Sequence, residues 1–427
     1  LKYTGTLDST CTITIGPNTV SKLWFIENAT SGSQSIIISQ GSGASITILN
    51  GQTKAIYSDG AGSGAAMVDA FTDLAAASLF VDGDLASNTA GTSNFRAGVN
   101  AGNSITSGGN YNVVVGDEAG TAITTGDNNT FLGYAAGDAL IDSGNNTALG
   151  HNALSADTKG SHSVAVGKGT LANQNFTTAT DAYNVAVGSS AGNDITTATH
   201  NILIGGLAGD ALTTGSSNVA VGHLALSTDD VGQHNVAIGR QALENQNIAT
   251  AANTYNTAVG SSAGNDVTTG IQNTLVGGLA GDAKTTGNND VAIGYQALST
   301  DVAGQNSVAV GYQALTAQNF TTATNSYNVA VGRSAGAAVT TGLQNTLVGA
   351  LAGDALTDAD NNVALGYLAL SADTLGSKST ALGQRALGTQ NFTTATDSYN
   401  TAVGYQAGAA VTTGQYNTLI GAQAGDA

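Results

Sequence analysis

The sequence is poor in proline and cysteine, and both absences exclude classes of structure. Of the 427 residues, one is proline, Pro17, and one is cysteine, Cys11. Because proline removes a backbone donor, a chain almost without it suits long, unbroken strand ladders. A single cysteine excludes an intrachain disulfide framework. We expect Cys11 to be a buried core thiol, as free cysteines usually are.

Charge is also scarce, and what there is has one sign. Charged residues make up 9% of the chain, and the formal net charge is −18. Proteins that bind nucleic acids or anionic membrane surfaces need clustered lysine and arginine, so neither partner is expected. No apolar run of 18 residues occurs, and we therefore predict no membrane insertion.

Glycine, in contrast, is abundant and regularly spaced. From Gly116 onward, the glycines that close the pentad Asn-x-x-x-Gly are 17, 17, 17 and 21 residues apart, and this pattern repeats every 72 residues. A degenerate pentad at Asn94–Gly98 extends the array towards the N-terminus. Such a period predicts a solenoid, with one unit per repeat stacked on its neighbours. We predict that residues 94–427 form a parallel β-roll of about 19 coils, with a length on the order of 90 Å.

The residues before the array have a different pattern. Residues 1–72 contain short alternating strands separated by turn signals such as Asn50-Gly51, which predicts a small antiparallel β sandwich or barrel. Trp24 is expected in its core. Residues 73–93 are rich in alanine and are predicted to form a joint that can contain a short helix. The predicted fold class is all-β.

Each pentad is predicted to be a short strand with corners at Asn and Gly, which tolerate positive φ. The first and third residues after Asn, such as Val185 and Val187, are expected to fill the interior, so the middle residue would face outward. A strand that is apolar on both faces is buried on both. We therefore predict a homotrimer, with a dimer or a different partner as alternatives. Its axis would be lined by Ala186, Leu203, Ala220, Ala237, Ala258, Leu275, Ala292, Ala309, Ala330 and Leu347.

Several phrases resemble known fibrous proteins. Asn256–Gly260 and Ser307–Gly311 resemble the head repeat of trimeric autotransporter adhesins, and Gly-Tyr-Gln-Ala at 294–297 and 404–407 is similar to repeats of bacteriophage and marine bacterial fibre proteins. Lys22–Thr30 resembles part of a small β domain of bacteriophage tail fibres. This resemblance implies a homotrimer of left-handed parallel β-rolls that serves as a structural virion fibre.

In such a fibre the partners would be other virion proteins and host-surface glycans or proteins, and the location would be the extracellular virion. The coils are longer than those of autotransporter heads. A bacterial trimeric surface adhesin on the cell surface is therefore the alternative rather than the first choice.

Every fourth coil carries four extra residues, which are expected to form bulges. Their aromatic residues could stack on glycans, or could pack locally to hold each bulge. They are Phe176, Tyr183, Tyr255, Phe320, Tyr327, Phe392 and Tyr399. No Ser-His-Asp order and no metal-ligand spacing is present, so we predict no catalytic site, metal or cofactor. A glycan-cleaving tail spike is the least favoured function.

Overall fold

The computed structural model describes residues 1–70 and 90–426. The chain divides into two compact units, Leu1–Leu85 and Ala86–Ala427. Within the described residues the only helical element is one 3₁₀ turn at Gly62–Gly64, and the all-β prediction is confirmed. The predicted joint at 73–93 lies almost entirely outside the described residues.

The described part of the first unit, residues 1–70, contains seven strands in two sheets. Strands β3 and β6, β6 and β7, and β4 and β5 pair antiparallel, as predicted. Two pairs, β1 with β3 and β2 with β4, are parallel instead. The strands are β1 (Lys2–Thr6), β2 (Cys11–Thr14), β3 (Lys22–Ser31), β4 (Ile36–Ser39), β5 (Ile46–Ile48), β6 (Thr53–Ser58) and β7 (Met67–Asp69).

The core of the first unit is a cluster of isoleucines with one methionine, including Ile26, Ile38 and Met67. Trp24 packs against this cluster but is only partly buried, and its Nε1 donates a hydrogen bond to Ser58 Oγ at 3.3 Å. Cys11 is exposed, so its prediction as a core thiol is wrong. It begins β2, which is an edge strand paired only with β4.

The second unit is built on one parallel ladder of nineteen three-residue strands, which confirms the solenoid. Each strand pairs with the strand one coil before and one coil after it, in exact alignment of equivalent residues, as Ala186 does with Leu203. The strands are Phe95–Ala97, Val113–Val115, Thr130–Leu132, Thr147–Leu149, Val164–Val166, Val185–Val187, Ile202–Ile204, Val219–Val221, Val236–Ile238, Thr257–Val259, Thr274–Val276, Val291–Ile293, Val308–Val310, Val329–Val331, Thr346–Val348, Val363–Leu365, Thr380–Leu382, Thr401–Val403 and Thr418–Ile420.

The four extra residues of every fourth coil add a second, shorter strand pair. In each case a two-residue strand pairs in parallel with an equivalent strand in the preceding coil. The pairs are Gly160–Ser161 with Thr180–Asp181, Gly232–Gln233 with Ala252–Asn253, Gly304–Gln305 with Thr324–Asn325, and Gly376–Ser377 with Thr396–Asp397.

In every pentad from Asn112–Gly116 to Asn400–Gly404 the middle residue is buried inside the coil, which reverses the predicted orientation of the strand. The residues predicted to line a trimer axis are all fully buried within the single chain, in its hydrophobic core. They are Ala186, Leu203, Ala220, Ala237, Ala258, Leu275, Ala292, Ala309, Ala330 and Leu347. The first and third residues, such as Ile202 and Ile204, face outward.

The interior of the coil is narrow, and the side chain of the middle residue shares part of it with the corner. Leu203 fills the space beside two corner glycines: a Cβ added at Gly192 or Gly209 would lie 2.7 or 2.8 Å from its methyl carbons. In the next coil the middle residue is Ala220, and the corner position equivalent to Gly209 is a buried leucine, Leu226. In these two coils, a large residue in the strand is matched by a small one at the corner, and a small residue in the strand by a large one at the corner. Close packing tolerates neither a void nor an overlap.

The pentad asparagine forms a buried ladder along the interior. Asn201 Nδ2 donates to the Gly215 carbonyl at 3.0 Å, and Asn201 Oδ1 accepts the backbone N–H of Asn218 at 2.9 Å. Asn201 therefore closes its own coil and joins it to the next coil, and most of the other pentad asparagines do the same; at Asn235 only the oxygen is bonded. The corner with positive φ is not the asparagine but the residue before it, such as His200 at φ 61°.

The pentad glycine occupies the opposite corner. Gly277 has a φ of 132°, which side chains rarely adopt, and its hydrogen atoms face the backbone of the following coil. A Cβ there would lie 2.6 Å from the Gly294 carbonyl oxygen. Glycine is therefore required by both the conformation and the stacking distance.

Candidate functional site

The most extensive unusual surface is the outward face of the main ladder. We call the first and third residues of its nineteen strands the outer stripe. The third residue is aliphatic in every strand, and the first is Val, Thr or Ile in all but Phe95–Ala97. In the single chain, Ile202 is 41% exposed and Ile204 39% exposed. An apolar surface that continues over so many coils is typical of an interaction surface.

No charged residue interrupts the outer stripe. Each side chain lies in register with its equivalents in the coils before and after it, as Ile204 does with Val187 and Val221. Branched aliphatic side chains in columns make a smooth, dry surface that a second β surface can cover closely. Complete burial of a fully exposed Val, Ile or Leu side chain contributes about 1.5–3 kcal/mol, so a side chain that is 39% exposed, such as Ile204, would contribute roughly half of this or less.

A column of planar side chains follows one edge of the outer stripe, at the position before each pentad. Tyr183 stacks between His162 and His200, with ring centroids 4.9 and 5.6 Å apart. His234 stacks on Tyr255 at 5.1 Å. These residues have positive φ, which turns their side chains towards solvent. Stacked rings therefore occur in groups along this column, and the coils between them carry other side chains, such as Ser217 and Asn289.

A similar column follows the other edge, at the position after each pentad glycine. Tyr295 and Tyr312 stack with their centroids 5.8 Å apart, and the Arg333 guanidinium lies 5.9 Å from the Tyr312 ring. Tyr134 stacks on His151 at 5.2 Å. The outer stripe is thus bordered on both sides by exposed aromatic and hydrogen-bonding groups, which is the arrangement of an interface core with a polar rim.

The bulges place their aromatic residues in two different environments. Phe176, Phe320 and Phe392 are buried, and at the equivalent position Ile248 is buried as well. These phenylalanines cannot stack on a surface ligand, so the prediction of a binding role for them is wrong. Tyr183, Tyr255, Tyr327 and Tyr399 are about half exposed and belong to the column before the pentads.

A buried aspartate explains why the phenylalanine is inside. Asp157 Oδ1 accepts the backbone N–H groups of Gly160 and Phe176 at 3.0 and 3.1 Å, and its Oδ2 accepts Gln174 Nε2 at 2.6 Å. Asp229, Asp301 and Asp373 occupy equivalent positions. Burial raises the pKa of Asp157, although its hydrogen bonds oppose this shift. The hydrogen bonds fix the start of each bulge and turn its first apolar side chain inward.

The described residues contain no evident centre for metal binding or membrane insertion. Within 1–70 and 90–426, no group of three or more His, Cys, Asp or Glu side chains is positioned to hold a metal ion. No helix in the same ranges has the length and hydrophobicity to cross a bilayer. No protein-family model matches the chain, and neither a curated protein nor a solved structure shows significant similarity to it.

Two functional features went unrecognised in the sequence. In the sequence, the two columns of planar residues correspond to the position directly before each pentad and the position directly after it. Tyr, His, Asn and Gln are common at these positions. The sequence predicts a corner at the pentad asparagine, and the structure has the buried ladder there instead. The signal for its true role was that the pentad asparagine is replaced only by serine and aspartate, as at Ser163 and Asp290, which are also able to accept a hydrogen bond.

Proposed function

We propose that the second unit is the shaft of a homotrimeric fibre on a bacteriophage or similar virion, built from left-handed coils and engaged in host attachment. The observation that carries this proposal is the outer stripe, an uncharged surface along nineteen coils in which the third residue of every strand is aliphatic. In the proposed trimer the outer stripes of three chains meet at the axis. This replaces the predicted axis of middle residues, which are already buried within one chain.

Three further features favour a trimeric fibre with a structural role. The asparagine ladder and the stacked glycine corners make each coil depend on its neighbours. The aromatic columns at both edges of the outer stripe provide rims that can seal an interface between subunits or bind glycans of a host surface by ring stacking. The partners would then be other virion proteins at one end and host glycans or proteins along or beyond the shaft.

The assembly is tested by introducing charge into the outer stripe. The double variant Ile204→Lys, Ile238→Lys places two ammonium groups on its third-residue column. Sedimentation of the wild-type protein is expected to give the mass of three chains, and the variant the mass of one. Thr214→Lys is the matched control, because Thr214 is exposed but lies outside the outer stripe. A wild-type protein that remains a single folded chain would overturn the trimer.

The location and the attachment role need a separate test. Antibodies against the second unit are expected to label purified virions, and soluble protein is expected to compete with virions for host cells. Labelling of bacterial cells in place of virions would support the alternative, a trimeric surface adhesin. Release of oligosaccharides from host polysaccharide by the purified protein would instead support a glycan-cleaving tail spike.

A further inference from the structure

Two successive coils share a buried group of charges, of which the lysine and one aspartate have no charged equivalent in the other periods. Lys284, Asp290 and Asp301 are all fully buried. Lys284 Nζ lies 2.7 Å from Asp290 Oδ2 and 3.1 Å from Asp301 Oδ2. At positions shifted by one 72-residue period, Lys284 corresponds to Leu212 and Leu356, and Asp290 corresponds to Asn218 and Asn362. Two changes have therefore occurred together at one point of the interior.

The lysine and the aspartate together replace the hydrogen bonds of one asparagine. In the preceding period, Asn218 Nδ2 donates to the Gly232 carbonyl at 2.9 Å, and Asn218 Oδ1 accepts the N–H of Asn235 at 2.9 Å. Here Lys284 Nζ donates to the Gly304 carbonyl at 2.9 Å, and Asp290 Oδ1 accepts the N–H of Ser307 at 2.7 Å. Lys284 Nζ and Asp290 Oδ1 thus make the two hydrogen bonds that one asparagine amide makes in the preceding period.

The remaining oxygen of Asp290 has no role in this ladder. Asp290 Oδ2 is buried and accepts no hydrogen bond, and its 2.7 Å approach to Lys284 Nζ is off the hydrogen-bond direction. Burial raises the pKa of Asp290 to about 6, against the opposing effect of the Lys284 ammonium. The low-polarity interior thus favours the protonated carboxyl of Asp290, the species from which an amide forms.

We propose that Lys284 and Asp290 condense spontaneously to an intramolecular isopeptide bond. The Lys284 ammonium passes a proton to Asp290 Oδ2, and the neutral Nζ then attacks Cγ of the Asp290 carboxyl. Asp301 accepts the second Nζ proton and returns it to the Oδ2 hydroxyl, which leaves as water. One C–N bond forms and one C–O bond breaks, with no change of oxidation state and no added reagent.

Asp301 is suited to carry this proton because its other bonds hold it in place. Its Oδ1 accepts the backbone N–H groups of Gly304 and Phe320, both at 3.1 Å, and its Oδ2 also accepts Gln318 Nε2 at 3.1 Å. Asp301 has equivalents in the other periods that hold the bulge without any lysine. Asp301 therefore has two roles in this coil. It holds the bulge, and it is positioned to carry the proton.

The product amide would complete the asparagine ladder. Its N–H would keep the bond to the Gly304 carbonyl, and its carbonyl oxygen would keep the bond from the Ser307 N–H. The two charges of Lys284 and Asp290 disappear from the interior, where unpaired ions are costly. The inference concerns a covalent link inside one chain and does not depend on the proposed fibre role.

Peptide mapping tests the link directly. Full-length protein, verified as folded by circular dichroism, is denatured and digested with a lysine-specific protease. The expected result is no cleavage after Lys284 and a fragment, 169–378, that is lighter by one water molecule than its sequence mass. Fragmentation in the mass spectrometer should locate the branch between Lys284 and Asp290. Cleavage after Lys284 with full-mass fragments would overturn the proposal.

Two variants complete the design. The double variant Lys284→Leu, Asp290→Asn copies Leu212 and Asn218 and is expected to fold with its full sequence mass. Asp301→Asn, which lacks the proton carrier, is expected to leave Lys284 cleavable; a linked Asp301→Asn protein would remove Asp301 from the mechanism.

A cyclic imide at Asp290 would also lose water, but it leaves Lys284 cleavable, so water loss with cleavage counts against the link.

Discussion

At the scale of single residues, each coil depends on a few positions at which only one side chain fits. The pentad glycine turns the chain in a conformation closed to other residues, and the pentad asparagine bonds two coils at once. Neither requirement comes from the hydrophobic pattern. They arise because successive coils are separated by only one strand spacing, about 4.8 Å, so every corner lies against an identical corner.

Two adjacent glycines allow this requirement to be measured. Gly277→Ala is expected to destabilise the second unit by about 2–4 kcal/mol, since it combines backbone strain with a steric overlap. Gly278→Ala is the matched control, because an added Cβ there has its nearest neighbour at 3.5 Å and φ is not left-handed. Thermal unfolding should show a large loss for the first variant and little change for the second. Equal effects would contradict the assigned role of the pentad glycine.

The asparagine ladder gives a second prediction at this scale. Asn201→Ala removes the partners of the Gly215 carbonyl and the Asn218 N–H, which are both inside the coil. Leaving such groups unpaired costs about 1–3 kcal/mol each. Asn245→Ala, at an exposed asparagine bonded to Asp266 at 3.1 Å, should change stability by less than about 0.5 kcal/mol. Chemical denaturation of both variants provides the comparison, and a stable Asn201→Ala protein would disprove the ladder's contribution.

At the scale of the element, the strand was predictable but its orientation was not. Three-residue strands bracketed by Asn and Gly follow directly from the sequence, and the structure confirms them. Because side chains alternate along a strand, the middle residue must face away from its two neighbours. The middle residue and its neighbours are all largely apolar, so polarity does not indicate which of them face the interior. Size decides it: Leu203 lies beside the corner glycines Gly192 and Gly209, whereas the coil of Ala220 has a buried leucine, Leu226, at its corner.

The bulge is the element whose aromatic residues were misjudged. Phe176 and Tyr183 are equally aromatic, and the sequence does not show that Asp157 binds the Phe176 N–H and turns that residue inward. This contact joins two coils, so local sequence alone does not reveal it. The half-exposed tyrosine of each bulge remains a candidate for ligand stacking.

Removing the buried aromatic side chain should loosen the bulge without unfolding the unit. Phe176→Ala leaves a cavity and is expected to cost about 3–5 kcal/mol. Because neighbouring coils are held by their own contacts, the loss should be local. Hydrogen exchange is expected to accelerate at Thr180–Asp181 and to stay slow at Val185–Val187. Thr177→Ala, at an exposed residue of the same bulge, is the control. Uniformly faster exchange would show that the bulge is not an independent element.

At the scale of the whole molecule, burial of carboxyl groups links stability to pH. The pKa values of Asp157 and Asp229 are raised, chiefly by burial, as are those of Asp138, Asp210, Asp282 and Asp354. Above the ordinary value of 3.8, the native state therefore binds protons that the unfolded chain has released. Stability must then fall as the pH rises through this window and increase on mild acidification.

We accordingly expect the thermal unfolding midpoint to rise between pH 7 and pH 5. The net charge of −18 also favours this direction through general repulsion. Measurements at high salt separate the two effects, since salt screens exposed charges far more than buried ones. A midpoint that falls on acidification at high salt would contradict the burial effect. The wild type and the Lys284→Leu, Asp290→Asn variant should respond alike if Asp290 is already in an amide.

How much of this molecule the sequence predicts depends on the distance between the residues involved. The period, the coil number and the all-β class follow from repetition along the chain. The orientation of the strand, the buried phenylalanines and the Lys284–Asp290 pair depend on contacts between coils. From the sequence alone, Lys284 would be predicted to lie on the surface. Only the structure shows that Asp290 and Asp301 lie beside it.

The alignment of every coil with the next has a consequence for how such a chain can change over generations. A segment of 72 residues begins and ends at equivalent points of the ladder. Deleting or duplicating one whole segment in the gene would join equivalent points of the ladder. The new junction would then resemble the existing ones and need no compensating mutations. The length can therefore vary in steps of four coils, roughly 19 Å each, while both termini and the outer stripe keep their design.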